Sequence, residues 1–277
     1  MGFLKSFFLG KEESPEEKKK RDDERDFDVL KTDGARALRM GQGEAAVRCL
    51  TKALEIKDDL EVRDYLSQAF IRCDRLVEAR EQLQILAQAQ PDNVQILIMM
   101  ARVDYMREDY NAMADICEKA MLLDADNAEV LFLYARAAKG QHDLVNAVAM
   151  LTKSIMLNEH FGDAYLERGK ILLQMGDVEG AAEDAAYLME VASEVEDVLL
   201  LQAAVMEASG RLPEAIASYD KAIKVNPFSI AAFKGRGAAR LALGDKEGAE
   251  SDMRQLLELD PTALQHLSGE FKSQGRD

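Results

Sequence analysis

The chain has 277 residues, and its 35 Lys and Arg against 51 Asp and Glu give a formal net charge of -16. A surface this acidic repels nucleic acid and anionic membranes, so any anionic partner needs a local patch of opposite sign. The three cysteines, Cys49, Cys73 and Cys117, are odd in number and lack C-x-x-C spacing, which argues against a disulfide framework and fits a reducing compartment.

Residues 1–10 (MGFLKSFFLG) carry Phe3, Leu4, Phe7, Phe8 and Leu9, an apolar tip expected to pack on the first repeat or on another copy. A weak membrane or partner contact is the alternative use. The tip has only Lys5 before its short apolar run and no small-residue cleavage site, so it is a poor secretory signal. Gly2 and Ser6 fit the loose myristoylation pattern, but Phe3 sits where that pattern disfavours an aromatic. Residues 11–26 are nearly all charged, with Glu16–Lys20 and Glu17–Arg21 at helical i, i+4 spacing, and read as a solvated helix or linker. Lys18 to Arg21 also resembles a basic localisation patch, diluted by its acidic neighbours. The longest apolar stretch, about nine residues around Val198 to Met206, is half of what a bilayer-spanning helix requires. The expected location is the cytoplasm.

From Phe27 onward the breakers are periodic. Gly176, Gly210 and Gly244 recur every 34 residues, and Pro227 and Pro261 keep the same interval. Units then start at Phe27, Leu60, Val94, Ala128, Gly162, Glu196 and Ile230. Their eighth positions are all small: Gly34, Ser67, Ala101, Ala135, Gly169, Ala203 and Gly237. Their twentieth positions read Ala46, Ala79, Met113, Ala147, Ala181, Ala215 and Ala249, with Met113 the misfit. Two antiparallel helices approach closely only where neither carries a bulky side chain, so these columns mark the helix crossings. Large apolar residues at the fourth place, such as Leu97, Leu131 and Phe233, must bury between neighbouring units, because one hairpin has too little core to stand alone.

These columns resemble the tetratricopeptide repeat family over residues 27–263. The resemblance implies an all-α fold, a right-handed α-solenoid of seven helix-turn-helix repeats whose first helices line a concave groove used in protein association. Residues 1–26 form the arm. Residues 264–277, with Leu264, Leu267 and Phe271 on one helical face, are expected to form a C-terminal capping helix and tail. Departures from the family pattern are Arg63 in an apolar column, Leu86, Leu188 and Leu256 where a small residue is preferred, and Asp58, Ala125, Glu159 and Ser193 where proline is. Repeats two and five are expected to be distorted there.

Groove-facing positions follow from the same resemblance. The fifth position supplies Ile98, Phe132, Leu166 and Leu200, the sixth adds Leu133, and the ninth gives the cations Arg102, Arg136 and Lys170. Two readings stand for each set. The apolar stripe is a ligand surface or is buried by the superhelix itself; the cations capture carboxylates of an acidic or C-terminal segment, or pair with Asp104, Glu167 and neighbouring acids. The lysine–asparagine clamp of the chaperone-binding subclass is not reproduced: Lys31, Ala35, Tyr65, Gln95 and Met99 supply one match of five.

Nothing in the sequence points to catalysis or a cofactor. His142, His160 and His266 lie in different units, and there is no phosphate-binding loop, no H-E-x-x-H, no G-x-S-x-G and no zinc spacing. Cys117 falls at an interior position and reads as an inert core thiol. The expected function is a non-enzymatic scaffold or adaptor that binds another protein's peptide segment and no nucleic acid. Self-association, or membrane-proximal assembly through the apolar arm, is the alternative.

Overall fold

The computed structural model describes residues 14–262; the apolar tip and the expected capping helix lie outside the described residues. Among the described residues there are fourteen helices and no strand. The chain divides after Ala125 into two compact units. The first contains α1 (Pro15–Arg39), α2 (Gly43–Ile56), α3 (Leu60–Arg72), α4 (Leu76–Ala89), α5 (Val94–Met106) and α6 (Tyr110–Leu123). The second contains α7 (Ala128–Gly140), α8 (Leu144–Leu157), α9 (Gly162–Met175), α10 (Val178–Val191), α11 (Glu196–Ala208), α12 (Leu212–Val225), α13 (Ile230–Ala242) and α14 (Lys246–Leu259). Within each unit, helices adjacent in sequence pack together. First helices also touch across one repeat, α1 on α3, α9 on α11 and α11 on α13, which is the stacking of an α-solenoid.

Six of the seven hairpins begin where the sequence period places them. The exception is α1, which starts at Pro15, twelve residues before Phe27. Ser14 explains the early start: its hydroxyl accepts from the Glu17 N–H while the Glu17 carboxylate accepts from the Ser14 N–H, a complete capping box with proline at the first helical position. The charged arm is therefore, from Ser14 onward, continuous with the first repeat helix.

The small-residue columns sit at the crossings. A Cβ on Gly34 would meet Leu50 Cγ at 2.5 Å, and one on Gly169 would meet Leu201 Cδ2 at 2.9 Å. Ala46, Ala79, Ala147, Ala181 and Ala215 are fully buried, and so is Met113, whose flexible side chain takes up the space the others leave to their neighbours. In unit 2 the core is a row of clusters at three-helix junctions. Ala147, Leu151 and Ile155 of α8 pack with Ala135 and Ala138 of α7 and with Ala164 and Ile171 of α9. Tyr219 and Ala222 of α12 meet Leu199 and Ala203 of α11 and Ala232 of α13 in the same way. Each buried leucine in such a cluster contributes about 1.5–3 kcal/mol, and because the clusters straddle hairpins, no hairpin keeps that contribution alone.

Turns inside the hairpins use the left-handed region at one repeated place, filled by Gly41, Gly176, Gly210 and Gly244 but also by Asp74, Glu108 and His142. The next residue caps the second helix. Asp109, Asp143, Asp177 and Asp245 accept from the N–H three residues on, whereas Arg75 and Arg211 at the same place instead hold Glu78 and Glu214 through ion pairs.

Repeats two and five are regular hairpins, contrary to the distortion expected of them. Arg63 is accommodated by leaving the core: its guanidinium donates to Asp58 at 2.7 Å and to Gln82 at 2.8 Å. Leu86, Leu188 and Leu256 are buried, adding apolar volume where the family pattern has little.

Candidate peptide-binding faces

In unit 1, first-helix residues at the second, fifth, sixth and ninth positions line an open groove. One part, of about 550 Å3, lies between α1 and α3 and is bordered by Asp28, Lys31, Thr32, Ala35, Glu61 and Tyr65. Lys31 and Glu61 are paired across it. The Lys31 ammonium donates to Glu61 at 2.7 Å and to Asp59 at 3.2 Å, and the Tyr65 hydroxyl donates to Glu61 at 2.9 Å. The Lys31 hydrogen bond, then that of Tyr65, holds the Glu61 carboxyl below the ordinary carboxylate range.

The other part, of about 570 Å3, lies between α3 and α5 beside the end of α4. Its apolar walls are Leu60, Leu86, Ile96 and Met99, and its polar rim is made of Gln68, Gln90, Asn93 and Gln95 with the carboxylates Glu61 and Asp64. Asp64 differs from Glu61, one turn away. It accepts from Gln68 Nε2 at 3.0 Å and has no cation against it among the described residues. Burial pushes its carboxyl above the ordinary value, outweighing the Gln68 hydrogen bond, with the Glu61 charge acting in the same upward direction.

The residues singled out from the sequence fall into three environments. Ile98 and Leu133 are only 3% exposed and belong to the cores of unit 1 and unit 2 respectively. For Ile98 the reason is that α5 (VQILIMMARVDYM) is apolar almost all round and buries seven of its residues. Phe132, Leu166 and Leu200, all in unit 2, are half-buried. The Phe132 ring tilts against Phe161 with centroids 5.0 Å apart, Leu166 leans on the Ala181–Leu188 cluster, and Leu200 on that of Leu199 and Ala215. Of the cations, Arg102 is exposed on α5, the Arg136 guanidinium lies 5.6 Å from the Phe132 ring centroid, and Lys170 is paired with Asp197 at 3.5 Å. Glu167 is taken by Lys139 at 2.5 Å, and Asp104 by Arg80 and Arg107, each at 3.0 Å.

Sequence reasoning missed a second set of arginines, at the seventh position. Arg168 on α9 donates to Asp184 of α10 at 2.6 Å and to Thr152 of α8 at 3.0 Å. Arg236 on α13 repeats this with Asp252 of α14 at 2.5 Å and Asp220 of α12 at 2.6 Å. Each spans three helices and two hairpins, and each ring-stacks on an aromatic of its own helix, Tyr165 or Phe233. The signal was available as an arginine with partners sixteen residues to either side, occurring twice at equal repeat positions.

Among the described residues no chemistry-bearing cluster competes with these faces. Burial pushes the Cys117 thiol up to about 12, so it stays protonated and inert. His142 sits in a left-handed turn and His160 is exposed beside Glu159, while His266 lies outside the described residues. Among the described residues no three metal-ligating side chains converge, and no helix is long and apolar enough to cross a membrane.

Comparison with known proteins agrees with this geometry. The tetratricopeptide repeat family model matches residues 201–263. The chain is 22% identical to DnaJ homolog subfamily C member 3 of Gallus gallus over 83% of this chain and 52% of that protein, so it spans about half the length of that relative. A tetratricopeptide repeat protein from Parabacteroides merdae superposes with a TM-score of 0.72 at 16% identity, covering 85% of this chain and 94% of that one. YrrB, described as a TPR protein with an unusual peptide-binding site, gives 0.55 at 15% identity over 69% and 98%. With seven hairpins of matching period, small-residue crossings and stacked first helices, the chain has the α-solenoid fold of tetratricopeptide repeat proteins, and residues 201–263 match that family's model.

Proposed function

We propose that the protein is a non-enzymatic scaffold that holds a segment of another protein along its first helices. The observation that carries this is the open groove of unit 1, which is lined from α1 to α5 at the repeat positions where this architecture presents side chains to a ligand. In unit 2 the corresponding positions offer Phe132, Leu166 and Leu200 as apolar contacts and Arg136 and Lys170 as cations. A partner carboxylate would compete there with Asp197 for Lys170, an exposed pair that is worth little and exchanges readily. Arg102 would serve the same role for a segment crossing α5. The YrrB likeness is in keeping with peptide binding.

Photo-crosslinking tests the reading. A benzophenone amino acid at Tyr65 or Gln95, in the groove, should trap a partner in cells, and one at Asp115, exposed on α6, should not. Equal yields from all three sites would sink it.

A further inference from the structure

The α3–α5 part of the unit 1 groove carries a chemical preference that the rest of the groove does not. Its rim holds two carboxylates and four carboxamides, and no lysine or arginine. Glu61 is satisfied by Lys31 and Tyr65, which leaves Asp64 as the charge without a counter-charge, half-buried and held only by a neutral amide. A carboxylate withdrawn from water without a cation is destabilising, and the simplest relief is a cation brought by a ligand. Beside it, Leu60, Ile96 and Met99 offer apolar wall to a neighbouring side chain. The carboxamides suit an extended segment, whose main-chain N–H and C=O groups are unpaired, better than a helix, which satisfies its own.

We propose that this part of the groove binds an extended segment of a different protein by placing a lysine or arginine side chain against Asp64, with an adjacent apolar side chain between Leu60 and Met99. A second copy of this chain is a poor occupant, because its net charge of -16 repels its like. The inference rests on the scaffold reading and names the partner chemistry at one of its sites.

The test uses the full chain and a short serine- and glycine-rich peptide carrying one leucine-lysine-leucine triplet, with glutamate and norleucine versions. Binding is followed through the side-chain amide resonances of Gln68 and Gln95. The lysine peptide should perturb both resonances and outbind the other two. Asp64→Asn should weaken it at least about tenfold, the factor expected for one charge-assisted hydrogen bond, while Asp115→Asn, the same charge change on α6, should leave it unaltered. Equal weakening by the two substitutions would mean general attraction to an acidic surface and overturn the proposal. Equal binding of all three peptides, insensitive to Asp64→Asn, would overturn the cation preference and leave the scaffold reading standing. No perturbation by any peptide would overturn both.

Discussion

The first helices of the two units differ at their fifth positions, charged in repeats one and two and apolar in repeats four to six. In unit 1 they show Asp28, Lys31, Glu61, Asp64 and Gln95, a polar face in which Lys31 pairs with Glu61 while Asp64 has no cation against it. In unit 2 the fifth position shows Phe132, Leu166 and Leu200 and the ninth Arg136 and Lys170, while the second stays acidic with Glu129, Asp163 and Asp197. The crossings beneath are alike, each with a small residue on its first helix and, Met113 apart, on its second. The scaffold is thus set by the interior columns and is indifferent to what the exposed positions carry, so substitutions should separate into those that cost stability and those that cost binding.

The largest effect should come from Arg168→Met, which strands Asp184, a 2% exposed carboxylate with no other cation against it. Breaking a buried pair from one side costs about 3–5 kcal/mol, to be read as a lowered denaturation midpoint. Next, Ala147→Leu and Ala215→Leu should overpack fully buried crossings by about 1–3 kcal/mol; unchanged melting in both would contradict the repeat register. His142→Gly should act in the opposite direction, by about 0.5–1 kcal/mol, since a left-handed backbone strains any residue with a Cβ even after glycine's larger unfolded-state entropy is counted.

The smallest effect sharpens the contrast most. Asp64 has a raised folded-state pKa, so its ionised form weakens the fold above that value, and the penalty fades as pH falls below the ordinary carboxylate value and the group is protonated in both states. Asp64→Asn should therefore raise the melting temperature slightly at neutral pH and not in acid, even as it removes the cation preference. A groove residue whose loss stabilises the fold is being kept for something other than folding.

How much of this the sequence shows depends on the range of the interaction. The 34-residue period places six hairpin starts because glycine, proline and small residues act locally, through backbone conformation and helix approach. Repeat position alone points Ile98 and Leu133 to the groove, and position does not reveal that α5 is apolar on nearly every face. Nothing local in the sequence separates Asp64 from Glu61; the difference is Lys31, thirty residues upstream of Glu61. The extension of α1 hid behind its charge, although Ser14, Pro15 and Glu17 spelled out a helix start.

Arg168 ties α8, α9 and α10 together, and Arg236 does the same for α12, α13 and α14. At the intervening repeat the seventh position is Gln202, which cannot form an ion pair. Unit 2 is therefore braced by a buried arginine at two junctions, repeats four with five and six with seven, while the junction of repeats five and six relies on the packing of Leu188 with Val198 and Leu201 and on the exposed Lys170–Asp197 pair. Pulled from its ends, it should yield in two long steps rather than four short ones, and thermal fraying that starts at α14 should halt at the α10–α11 seam. A ligand lying across that seam would add a third brace, so that binding is felt as resistance to extension rather than as a change of shape.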